Sequence, residues 1–109
     1  MEARLVLRRE QIADLCRRYG VSRLEVFGSA VDGTFDAQRS DYDFIARFTS
    51  DPHASLARRF LAFGDALEEL LGRKIDLMTD HPIANPYLRA AVDATRTTIH
   101  DESSAEAFV

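Results

Sequence analysis

Asp41, Asp43 and Asp76, with Gly28 and Ser29, are the residues of this sequence whose types and spacing could do chemistry together. Asp41 and Asp43 flank Tyr42 at the start of a segment, Asp41 to Phe48, rich in aromatic and β-branched residues and therefore expected as a strand. Residues two apart on a strand point to one side, so the two carboxylates are presented together. Two such charges about 4 Å apart repel by about 4 kcal/mol at an effective dielectric near 20, which weakens a fold or holds a proton unless a cation intervenes. Mg²⁺ accepts one or two carboxylates and completes its shell with water and phosphate oxygens. Asp76 alternates against Ile75 and Leu77 in a short strand, Lys74 to Met78, sharing a face with Lys74 and Met78. If that strand lies beside Asp41 to Phe48, a third carboxylate joins the pair. Two cations about 3.5 to 4 Å apart could then stabilise both the attacking and the leaving oxygen of an in-line displacement. Asp76 could also accept the proton of the attacking group. Gly28 lets the backbone turn sharply and approach a phosphate, while Ser29 offers a hydroxyl and an N–H as donors. Arg39 and Arg47 are near enough in sequence to assist with phosphate charge, but nothing in their spacing assigns them to the site.

The elements that must position these residues follow from periodicity. Ile12, Leu15, Cys16 and Tyr19 recur at helical spacing from Arg9 to Tyr19, with Gly20 as the stop. Arg23 to Phe27 reads as a strand ending abruptly at Gly28-Ser29. Ala30 to Ser40, small and polar, is a loop with room for a helical turn. A second helix is signalled from about Pro52 or Ser55 to Leu71 by the stripe Leu56, Phe60, Phe63, Leu67 and Leu70, with Gly72 beyond it. Asn85-Pro86 supplies an N-cap and a first helical residue for a third helix through Val92. The closing ESSAEAFV lacks periodicity and is expected to fray. This order implies an α/β (α+β) domain in which helices pack on one side of a small mixed sheet and the uncovered face is left for a site.

With 109 residues, the chain is expected to form a single domain over 1–109 around one modest core. Hydrophobic residues at 46% and charged residues at 29% are ordinary for a globular chain. No apolar run approaches the roughly 20 residues of a membrane helix. The apolar patch in MEARLVLRRE is too short for a secretory leader, and the lone Cys16 is the small core residue of a reducing compartment, so a cytoplasmic location is expected. A net charge of −4 argues against direct nucleic-acid binding, while it agrees with carboxylates that hold cations. His53, His81 and His100 show no metal-ligand spacing and are read as surface residues.

The stretch VFGSAVDGTFDAQRSDYDFIARF, from Val26 to Phe48, resembles the Gly-Ser and Asp-x-Asp signature of polymerase-β-like nucleotidyltransferases. GRKIDLMTD, from Gly72 to Asp80, resembles their later strand with the third aspartate. IANPYLRAAVDATRTTIHDE, from Ile83 to Glu102, is similar to the C-terminal helix and tail of the minimal nucleotidyltransferases, which include the MntA-type antitoxins of HEPN/MNT toxin–antitoxin systems. The eleven residues from Ala30 to Ser40 exceed the commoner family spacing by one. The resemblance implies a polymerase-β-like fold, ATP as substrate, Mg²⁺ ions held by Asp41, Asp43 and Asp76, phosphates held at Gly28 and Ser29, and pyrophosphate release. In the antitoxin branch, described as type VII-like, it further implies a complex with a HEPN RNase toxin and transfer of AMP to a toxin tyrosine, which neutralises it. Two other readings compete: a non-catalytic nucleotide-binding antitoxin that occludes its toxin, and a nucleotidyltransferase acting on another acceptor.

Overall fold

The computed structural model describes residues 1–36, 38–80 and 83–102. Along the chain run α1 (Ala3–Leu7), α2 (Arg9–Tyr19), β1 (Val21–Phe27), α3 (Ser29–Asp32), β2 (Tyr42–Phe48), α4 (Leu56–Leu71), β3 (Ile75–Thr79), α5 (Pro86–Thr95) and β4 (Thr97–Asp101). Local chemistry sets most of these boundaries. Gly20 and Gly72 end α2 and α4 in the left-handed conformation that a side chain disfavours, at φ of 71° and 64°. The Ser55 hydroxyl accepts from the Arg58 amide to start α4, and the Asn85 side chain accepts from the Tyr87 and Leu88 amides to start α5.

The four strands pair in the order β3-β2-β1-β4. β1 is antiparallel to β2 and to β4, whereas β2 and β3 are parallel and are joined through α4, as a parallel pair requires a crossover. Ile12 and Cys16 of α2, and Phe63, Leu67 and Leu71 of α4, pack with Leu24, Val26, Phe44 and Ala46 in one buried cluster. Alternation along the strands sends Glu25, Asp43, Ile45 and Asp76 to the opposite face. The expected mixed sheet with packed helices is therefore present.

Two elements are additional to the sequence reading. α1 follows a cap by Glu2, whose carboxylate accepts from the Arg4 and Leu5 amides, and it buries Leu5. β4 turns the segment after α5 into an edge strand on β1. His100, expected on the surface, lies in β4 opposite Leu24, and its side chain is only 10% exposed; strand alternation turns it inward. His53 is exposed as expected. His81 and the tail Ser103 to Val109 lie outside the described residues. None of the described helices is long and apolar enough to cross a membrane.

Candidate active site

Phe27, Asp43 and Asp76 occupy neighbouring positions across β1, β2 and β3, so the sheet register itself places the second and third aspartates side by side. Asp41 stands just before β2 and acts on the same group. Burial first, then the charges of Asp76 and Asp41 and a hydrogen bond with Asp76, push the Asp43 carboxyl up to about 6. No basic side chain is among the groups that shift it. The register thus brings Asp43 and Asp76 together, and the charge of Asp41 reaches Asp43.

Gly28 closes β1 with φ 78° and ψ −144°, a backbone state open to glycine alone. A Cβ at this position would stand 3.0 Å from Asp43 Oδ2. The turn therefore needs glycine twice, for its dihedrals and for its approach to the carboxylate. Ser29 follows as the first residue of α3, and its hydroxyl has no hydrogen-bond partner among the described residues. The Gly28 N–H is already engaged, donating to Thr95 Oγ1 at 2.8 Å.

Several residues that carry no chemical signal of their own hold this edge in place. Tyr42, fully buried between the two aspartates, donates its hydroxyl to the Glu2 carboxylate at 2.6 Å and stacks on Phe35 at 4.8 Å between ring centres. Burial alone would raise the Glu2 carboxyl, but hydrogen bonds from Tyr42 and from the Arg4 and Leu5 amides bring it below its ordinary value. Arg73 Nε donates to the Ser40 carbonyl at 2.7 Å, pinning the loop immediately before Asp41. Farther along the same face, Arg96 donates to both oxygens of the buried Glu25 and to Asp80. Arg47 also binds Asp80, at 2.8 Å, and so is committed away from the aspartate cluster. Arg39 stays exposed in the loop.

The donor types suit a hard divalent cation: carboxylates at the starts of β2 and β3, one of them raised by burial and then by its acidic neighbours. Among the described residues no group of three or more His, Cys, Asp or Glu side chains is already placed to hold a metal ion. An open carboxylate edge is the arrangement Mg²⁺ favours, because it leaves coordination positions for water and phosphate oxygens.

Residues 8–101 match the family described as nucleotidyltransferase domain. A solved minimal nucleotidyltransferase is 32% identical and superposes with a TM-score of 0.66 over 89% of this chain and 95% of its own. The chain belongs to the minimal nucleotidyltransferases. A Methanocaldococcus jannaschii protein that bears the name of a protein adenylyltransferase is 32% identical to this nucleotidyltransferase over 70% of the present chain and 74% of the relative. The fold also recurs in a chain from the complex of a tri-AMPylated Shewanella oneidensis HEPN toxin with an MNT antitoxin, at 15% identity and a TM-score of 0.60 over 94% of this chain and 77% of that one.

Proposed function

We propose that this nucleotidyltransferase moves AMP from Mg-ATP to a tyrosine hydroxyl of a HEPN-domain RNase toxin and thereby neutralises it. The observation that carries the reading is the convergence of Asp41, Asp43 and Asp76 beside the Gly28-Ser29 turn, since that is the constellation a metal-bound triphosphate requires. Support for a protein acceptor comes from the adenylyltransferase name of the archaeal relative and from the AMPylated toxin in the structural neighbour.

In this reading Gly28 and Ser29 bind the β- and γ-phosphates, the former by close backbone approach and the latter through its hydroxyl. Asp41, Asp43 and Asp76 hold two Mg²⁺ ions, which when bound neutralise charge on the triphosphate and on the departing pyrophosphate. The tyrosine oxygen attacks the α-phosphorus and forms the new P–O bond. The bond from that phosphorus to the oxygen bridging to the β-phosphate breaks, pyrophosphate leaves with the electron pair, and the hydroxyl proton passes to Asp76. Asp76 suits that task, being the exposed member of the trio.

Intact-mass analysis of the HEPN-domain partner, after incubation with this chain, Mg²⁺ and ATP, tests the proposal. One or more added AMP units are expected, and none with Asp41→Asn plus Asp43→Asn or after chelation of the metal. A stable complex with no mass gain would replace the reading with a non-catalytic antitoxin that acts by occlusion.

A further inference from the structure

The Gly28 amide is one end of a hydrogen bond that spans the chain: its acceptor, Thr95 Oγ1, lies 67 residues later, at the end of α5. The same hydroxyl donates to the Ala91 carbonyl at 3.3 Å, which fixes its rotation and leaves a lone pair for Gly28. Thr95 is itself held in place. Thr97 Oγ1 donates to the Thr95 carbonyl at 2.9 Å, and the neighbouring Arg96 is fastened to Glu25, which lies on β1 three residues before Gly28, and to Asp80. A glycine with φ 78° has more alternative backbone states than any other residue, and the hydrogen bond from its N–H selects one of them.

We propose that Thr95 is a positioning residue for nucleotide binding: its hydroxyl fixes the Gly28 peptide so that the turn meets the triphosphate and stands against Asp43. The inference rests on the reading of Gly28-Ser29 as the phosphate turn. It gives the C-terminal end of α5 a task in the site, performed through the backbone of Gly28 and without contact to substrate.

The test compares Thr95→Val, Thr95→Ala and Thr95→Ser in the full chain, measuring KM for Mg-ATP, KM for the protein acceptor, kcat, and hydrogen exchange of the Gly28 amide. Loss of one hydrogen bond to a half-buried amide raises the ATP KM roughly tenfold in the Val and Ala variants, leaves the acceptor KM unchanged, and accelerates Gly28 exchange. Thr95→Ser, which keeps the hydroxyl, restores the ATP KM and the exchange protection. A purely structural role would change thermal stability without this split between substrates. An unchanged ATP KM in Thr95→Val and Thr95→Ala, or a Thr95→Ser variant no better than they are, overturns the proposal. Gly28→Ala separates the two layers: if it transfers AMP normally the phosphate-turn reading fails, whereas an impaired Gly28→Ala beside a normal Thr95→Val removes only the role of Thr95.

Discussion

Asp43 is half-buried beside two other carboxylates. Its carboxyl is raised from the ordinary 3.8 to about 6. A raised pKa means that the folded state holds this proton more tightly than the unfolded chain, so the stabilisation is complete below about 4 and is lost as pH rises through 6. Glu2 and Asp80 are lowered, and their contributions run the other way: they are present above the ordinary carboxyl range and lost only as pH falls below it. Between about 4 and 6 the Asp43 contribution therefore runs opposite to those of Glu2 and Asp80. Asp43→Asn is expected to stabilise the metal-free protein at pH 7.5 by about 1 kcal/mol, a figure reduced for the solvent that reaches this carboxyl. Urea denaturation at pH 5 and 7.5 checks this, and a variant less stable at pH 7.5 would contradict it. The aspartates and the Gly-Ser turn were legible in the sequence because their arrangement is local: a spacing of two on a strand, and a glycine at its end. Thr95, Arg96 and Glu25 were not, because their partners lie 67 and 71 residues apart and nothing in the residue types names those partners.

The clamp between α5 and β1 makes a prediction at the level of elements. The Glu25 side chain is 4% exposed and takes two hydrogen bonds from Arg96, with Arg23 at 3.3 Å as a secondary partner. Arg96→Met leaves that carboxylate with Arg23 alone, and a cost of about 2 kcal/mol is expected, below the full value for a wholly buried pair because Arg96 is partly exposed. Chemical denaturation should show a lowered midpoint with an unchanged slope, and Glu25→Met added to Arg96→Met should recover most of the loss. An additive loss in the double variant would show that the pair does not act as a clamp. The longer elements were readable from their punctuation: Gly20, Gly72, Ser55 and Asn85 mark helix ends through their own backbone and side-chain chemistry. α1 and β4 were not, since five residues are too few to show a period and both exist through tertiary contacts, Leu5 entering the core and β4 pairing with β1. The same pairing turned His100 inward against expectation.

At the scale of the whole molecule, the aspartates stand apart from the two depressions on the helical side of β2 and β3. Other residues border the 420 Å³ depression beside Arg47 and Arg59 and the 740 Å³ apolar one beside Phe60 and Met78. The main core joins α2 and α4 to one face of the sheet, while Ile45 and Val92 are buried outside that cluster. The fold class was legible from element order. The identity of the acceptor was not, because no residue of this chain encodes it locally. The central claim is that the aspartate edge moves a nucleotidyl group. Its most direct test compares ATP labelled at the α-phosphorus with ATP labelled at the γ-phosphorus, using Mg²⁺, the HEPN-domain partner, and either the native chain or Asp76→Asn. The account predicts that α-label enters the partner, that γ-label leaves in pyrophosphate, and that Asp76→Asn transfers neither. Entry of γ-label into the partner, or undiminished α-label transfer by Asp76→Asn, would contradict it.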